Sequence, residues 1–365
     1  MSKKRRSVLV TGVAHEWGMK LVPLLEADPD FATIIGIDYI KPEKNFQRME
    51  FFQIECHHPM LAELLRAAEV DVVCHLLFVD AYSQNEDIFD LNVMGTMDLL
   101  AACGAGETPR MVVMSDTRIY GAIPKHPNFL MEHTDILSKF RHPYVSHRME
   151  IEKALDRFCR QNQELKATVL RFANILGWGV DTPMRRYLDS PLVPMVFGFD
   201  PMMQFTHEKD ALAALLHAIK ADGVFGAFNI AGKGLLPLSQ VLKIGKRVPL
   251  PFGGPFLRAG NAMIQRTPIP DSIPIATDFL KFNCVGDIAK MQEVLGFSPK
   301  YSSKETVVDF FENMRVSRYI PTKDRMVSDP EATRELKQYL GERQKASDYL
   351  ADLIETFNKE SEYDQ

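Results

Sequence analysis

Residues 7–21, SVLVTGVAHEWGMKL, constrain the fold of this chain more than any other stretch. Val8, Leu9 and Val10, with Ser7 before them, have the unbroken apolar character of a strand buried on both faces of a parallel sheet. Thr11-Gly12 begins a turn, and Gly18-Met19-Lys20-Leu21 leads into an apolar periodicity that ends near Leu25. A strand that feeds a glycine turn and then a helix makes an anion site. The free N–H groups of the first helical turn and the helix dipole point at the same place. Gly12 permits the tight turn, and Gly18 lets the helix pack close to the strand.

Against the dinucleotide-binding spacing T-G-x-x-G-x-x-G, Thr11, Gly12 and Gly18 fit, and His15 stands in place of the middle glycine. A side chain there either points away from the phosphates or contacts them itself. The next apolar run, TIIGID at 33–38, ends in Asp38, twenty residues after Gly18. An acid at that spacing accepts hydrogen bonds from the adenosine ribose and repels a 2′-phosphate. Tyr39 follows it, with no arginine beside it, which favours NAD over NADP.

A chain of 365 residues can bury a large core, either as one big α/β domain or as one with a smaller lobe. A net charge of −5 leaves no nucleic-acid footprint. The basic run Lys3 to Arg6 leads straight into the first strand, so the apolar region of a secretory signal is missing. No segment reads as the ~20 apolar residues of a membrane helix, and a cytoplasmic location is expected. Cys56, Cys74, Cys103, Cys159 and Cys284 are scattered without a C-x-x-C pair and read as free thiols. His57-His58 follows Cys56 but lacks a second ligand cluster, so no metal site is expected.

Further along, FFQIE at 51–55 reads as a short strand, MLAELLRAA at 60–68 as a helix, and VDVVCHLLF at 70–78 as a buried strand. A helix over 86–103 and a strand RMVVMS at 110–115 follow. This alternation predicts an α/β fold with a doubly wound parallel sheet, Rossmann-like, and a smaller C-terminal substrate lobe. Ligands of such sheets bind at the carboxyl ends of the strands. The expected organisation is 1–178 for the dinucleotide-binding domain, 179–320 for the substrate lobe and 321–365 for a helical extension.

In order, the chain presents TG at 11–12, Asp38, DVVCHL, NVMGT, MSDTRIYG, Tyr144-x-x-x-Arg148 and LRFANILGWG. In this it resembles the extended short-chain dehydrogenase/reductase superfamily, and within it the NAD-dependent epimerase/dehydratase family, which includes the nucleotide-sugar enzymes. The similarity runs over residues 7–315 and includes FNCVGDIAKMQEVLGFSP at 282–299, similar to the family's D-x-x-K…LGF-x-P. Three positions depart from the family pattern. His15 is one. Asp116 stands four residues before Tyr120, where the family has Ser or Thr, with Ser115 and Thr117 on either side. Arg148 replaces a lysine. Positions i and i+4 of a helix share a face, so a cation at 148 can lower the pKa of a tyrosine at 144 from near 10. Arginine supplies the charge on a planar fork and does not give up a proton.

The resemblance implies NAD as cofactor and hydride transfer at a secondary alcohol, with Tyr144 as acid/base. Arg148 would position the cofactor and tune Tyr144, and Ser115 or Thr117 would polarise the substrate oxygen. Gly12, His15, Gly18, Asp38 and Asn92 belong with the cofactor, while Arg171 and Asn174 sit at the entrance to the substrate site. The substrate is a small molecule, either a nucleotide sugar or a more hydrophobic alcohol. A protein that keeps the fold and NAD without turnover is the other reading. Family members pair the helices matching 86–103 and 143–160, which implies a homodimer. Asp210 reads as a helix cap or a loop holder. Residues 246–275 read as a lid, an internally packed lobe or a patch for peripheral membrane contact, and 330–358 as amphipathic helices.

Overall fold

The computed structural model describes residues 5–79, 86–136, 143–252 and 275–317. The stretch read as a lid, beyond residue 252, and the helices expected over 330–358 lie outside them. Seven of the described strands form one sheet: β1 (Arg6–Thr11), β2 (Phe31–Asp38), β3 (Glu50–Gln53), β4 (Val72–His75), β5 (Arg110–Asp116), β6 (Lys166–Phe172) and β7 (Gly226–Ile230). Their order is β7-β6-β5-β4-β1-β2-β3, and every pairing is parallel. The order reverses between β1 and β4, which opens a crevice at the carboxyl ends of these two strands.

Strand periodicity divides the core into two layers. Val8 and Val10 of β1 face one side, where they meet Leu21, Val22 and Leu25 of α1 (Glu16–Ala27). Leu9 faces the other, with Leu61 and Leu65 of α2 (Leu61–Ala67) and Leu99 and Leu100 of α3 (Glu86–Ala105). Ile151 and Leu155 of α4 (Pro143–Gln161) join the second layer. Helix α3 contains a π-helical turn at Asp90–Met94. It is long and apolar enough by length and composition to cross a membrane. It packs against α2 and α4 and carries the buried Asn92 and Thr96.

Beyond β6 the chain adds short pairings. Asn174–Leu176 runs parallel to Phe205–His207, Met202–Met203 antiparallel to Leu236–Pro237, and Leu192–Val196 parallel to Val248–Phe252. Helices α5 (Pro183–Asp189) and α6 (Glu208–Lys220) lie among them. The His207 side chain caps α6 by accepting from the Lys209 N–H. Asp210 holds a loop, accepting from the N–H groups of Lys300 and Tyr301 at 2.9 Å each. The chain divides into two compact units, Met1–Phe311 and Glu312–Gln365, so the segment expected to form a substrate lobe belongs to the larger unit as far as Phe311.

Candidate active site

The crevice at the ends of β1 and β4 opens into a cavity of about 380 Å³. Its first wall is the turn after β1. Gly12 has φ +73°, and a Cβ there would stand 2.8 Å from the Leu77 backbone nitrogen. A Cβ on Gly18 would stand 2.3 Å from the Gly12 carbonyl oxygen. Both positions admit only glycine, which brings α1 directly against the turn and aims its N-terminus into the cavity. The cradle fits a dinucleotide phosphate.

A buried polar chain holds the opposite wall. Thr11 Oγ1 accepts the N–H groups of Leu76 and Leu77, both at 3.1 Å, and lies 2.8 Å from His75 Nδ1. With both lone pairs taken, Thr11 gives its proton to Nδ1, which puts the imidazole hydrogen on Nε2, 2.9 Å from Thr96 Oγ1. Thr96 donates in turn to the Asn92 carbonyl. Burial pushes the His75 pKa down to about 4, in keeping with a neutral ring. The Asn92 amide clamps Val79 through both its N–H and its carbonyl, at 2.8 and 2.7 Å. Val79 lines the cavity, so Asn92, expected among the cofactor residues, shapes the wall from behind.

Asp38 ends β2 and is 1% exposed. Its oxygens accept the N–H groups of Ala14 and Ile40, at 2.9 and 3.3 Å. The cavity wall here is formed by His15 and Tyr39.

The far end is built by β5 and the 3₁₀ turn Thr117–Tyr120. Asp116 accepts from the Arg118 backbone N–H at 2.7 Å and from its guanidinium at Nε (2.9 Å) and Nη2 (2.5 Å). Burial, the largest single influence, would raise the Asp116 pKa; the charge and hydrogen bonds of Arg118 and the charge of Arg148 together outweigh it and hold the carboxyl below its ordinary range. Arg148 reaches the same end from α4, donating to the Met114 carbonyl at 3.1 Å with its guanidinium 3.8 Å over the Phe78 ring. Ser115 lines the cavity, and its hydroxyl is given to Glu152. Thr117 is buried away from the cavity, its carbonyl accepting from Cys284 Sγ at 3.3 Å. Tyr144 lies on α4 four residues before Arg148; its side chain is outside the described set.

Asn174 lines the cavity and donates to the Gln204 carbonyl at 3.0 Å. Arg171, expected at the substrate entrance, points elsewhere. It is bound by Glu152 at 2.7 Å, by the Tyr120 hydroxyl at 2.7 Å and by the Glu132 carbonyl at 2.9 Å. Burial, the largest single influence, would lower the Arg171 pKa, but the charge and hydrogen bonds of Glu152 with those of Tyr120 together raise it, while burial lifts Tyr120 to about 12. A second cavity, about 510 Å³, touches Arg171 and Phe225 on the α4 side of β6. It shares nothing with the glycine turn.

Sequence reasoning did not single out Glu152, Arg118 or Glu16. Glu152 follows Arg148 by four residues, a spacing that puts both on one helical face. Glu16, in the first turn of α1, accepts the Asp181 N–H at 2.8 Å and so ties the turn to the segment after β6. Burial raises its pKa.

The sequence matches the NAD dependent epimerase/dehydratase family over residues 8–231. It is 33% identical over 312 residues to an uncharacterized protein of Mycobacterium tuberculosis (strain ATCC 25618 / H37Rv), covering 83% of each chain. A UDP-glucose 4-epimerase of Halalkalibacterium halodurans is 24% identical over 282 residues, 68% of this chain and 77% of that one. Among solved structures, MoeE5 in complex with UDP-glucuronic acid and NAD superposes with a TM-score of 0.66 at 20% identity, over 85% of this chain and 99% of its own.

Proposed function

The chain belongs to the NAD dependent epimerase/dehydratase family, and from that premise we propose that it moves a hydride between NAD and a secondary alcohol, or its ketone, on a nucleotide sugar. One observation carries the reading: a single cavity joins the glycine turn, the Asp116–Arg148 end and the segment Asp181–Met184. Phosphate cradle, charged reaction end and substrate wall are thereby continuous. NAD, when bound, supplies the hydride acceptor and donor. Gly12 and Gly18 make room for its phosphates, and the N-terminus of α1 faces them.

Tyr144 exchanges the alcohol proton. Arg148, four residues on along α4 and fixed on Met114 and Phe78, supplies the positive charge that would favour a tyrosinate. Ser115 reaches the substrate oxygen only by leaving Glu152, whereas Arg118 stands at the cavity wall with its guanidinium set by Asp116. Asn174 lines the substrate side of the same wall. The test is mass spectrometry of small molecules released from the purified protein, followed by single-turnover absorbance of bound NAD with the alcohol so identified. Release of NAD with a nucleotide sugar supports the reading. Release of NAD with a more apolar alcohol replaces the substrate class, and tight NAD with no oxidation of any alcohol replaces the enzyme with a binding module.

The same reading includes a homodimer through α3 and α4. Phe89, Met94 and Met97 of α3 remain more than a third exposed, large apolar side chains that a partner helix would cover.

A further inference from the structure

Hydride transfer between an alcohol and its ketone puts developing negative charge on the oxygen, and a donor or a positive charge set against that oxygen stabilises it. Ser115 and Thr117 were the expected donors, on either side of Asp116, which stands where the family has a hydroxyl. The structure turns all three to other uses. Ser115 gives its hydrogen to Glu152, and Thr117, 3% exposed, stands outside the cavity wall. Asp116 accepts from the backbone and the guanidinium of Arg118 and, ionised, has no hydrogen to donate. The guanidinium is held through Nε and Nη2 by the carboxylate that also caps its own 3₁₀ turn, which fixes the plane of the fork. Arg118 and Asp116 both line the cavity, yet their side chains keep only 11% and 10% of their surface. Charge at that depth is weakly screened by water.

We propose that Arg118, oriented by Asp116, is the side chain that meets the reacting oxygen, in place of the hydroxyl this chain lacks at position 116. The proposal rests on the hydride-transfer reading above. Arg118 keeps its protons throughout, because a guanidinium does not titrate in this range, and Tyr144 exchanges the proton of the alcohol. A cation in place of a neutral hydroxyl makes the contact charge-assisted. It is therefore worth more when the oxygen carries charge than when the alcohol is neutral. Asp116 is a positioning residue, acting through the fork that it holds.

The experiment is single-turnover absorbance of NAD reduction in the full chain with UDP-glucose and with UDP-glucuronic acid, alongside calorimetric titration of NAD. Arg118→Met is expected to slow reduction by about 10²–10³-fold, the worth of one such donor, with the NAD Kd moved by less than about threefold. That variant leaves Asp116 buried without the Arg118 charge, so two double variants that remove both charges complete the test. Asp116→Ser with Arg118→Met restores a hydroxyl at 116, and Asp116→Ala with Arg118→Met does not. The first is expected to react at least about tenfold faster than the second. Equal rates in the two double variants show a merely structural pair and overturn the proposal. Arg118→Met as fast as the parent, or slow only through weaker NAD binding, overturns it as well. A parent that reduces NAD with neither sugar overturns the nucleotide-sugar reading, and this proposal with it.

Discussion

Ser115 gives its hydroxyl hydrogen to Glu152, and the same carboxylate grips Arg171 through Nε and Nη2. The end of β5, helix α4 and strand β6 are thus joined by one acid, at a depth where Glu152 and Arg171 keep only 5% and 6% of their side-chain surface. Glu152→Ala leaves Arg171 as an uncompensated buried charge, and stability is expected to fall by about 3–5 kcal/mol. Urea unfolding followed by circular dichroism measures it. A loss no larger than that of a surface substitution would show that the pair is already solvated.

Gly18→Ala forces a methyl group onto the Gly12 carbonyl. The turn and α1 must separate, at a cost of about 1–3 kcal/mol for overpacking. NAD affinity is expected to drop by about tenfold or more, since each ~1.4 kcal/mol of lost cradle contact is a factor of ten. Calorimetric titration tests this, and affinity equal to the parent's would remove the turn from the cofactor site.

His75 supplies a pH dependence. Its folded pKa, about 4, lies below its ordinary value because burial disfavours the charged ring. The contribution is complete above the unfolded value of ~6.5 and is lost as pH falls from there toward 4, about 3 kcal/mol in all. The midpoint of urea unfolding is expected to drop between neutral pH and pH ~5, and His75→Gln to flatten that part of the profile. A parent profile that is flat across this window would exclude the effect.

Tyr144→Phe keeps the ring and removes the proton. NAD binding should be nearly unchanged while turnover falls by about 10²–10⁴-fold. Arg148→Lys should retain much of the activity, and Arg148→Met should weaken both turnover and cofactor binding. The readout is single-turnover NAD reduction with the alcohol recovered from the protein. Undiminished turnover in Tyr144→Phe would move the acid/base elsewhere.

The exposed side of α3 gives the last test. Met94→Glu and Met97→Glu together place two charges where a partner helix would lie. Sedimentation at micromolar concentration is expected to give a dimer for the parent and a monomer for the double variant; a monomeric parent removes the homodimer from the reading.

The glycine turn and the alternation of strands and helices were legible because each rests on local chemistry: a positive φ at Gly12, a close approach at Gly18, a twofold or 3.6-fold apolar period. Asn92 and Arg171 show where that legibility ends. Both stand in family-like motifs, yet Asn92 spends its amide on Val79 and Arg171 its guanidinium on Glu152. Neither partner lies near in sequence, and no periodicity signals them. VDVVCHLLF read as one long strand; pairing stops at His75, and Leu76 and Leu77 bend into the wall because Thr11 takes their N–H groups. Glu152 was missed because a glutamate on an amphipathic helix ordinarily faces water, and only the fold brings Arg171 against it.

The strand order also bears on how the molecule is made. Outward from β1, spatial order repeats chain order on each side: β2 then β3 one way, β4 through β7 the other. A nascent chain therefore delivers every strand to an edge that already exists, and none must be threaded between two formed neighbours. Parallel pairing demands long crossovers and is slow, but here the delays come one at a time, in the direction of synthesis. The phosphate cradle is an early product of that sequence. The contacts of Thr11 and Gly12 with the β4 side reach only to Leu77, so that part of it can close early, while the tie from Glu16 to the Asp181 N–H waits for the segment after β6.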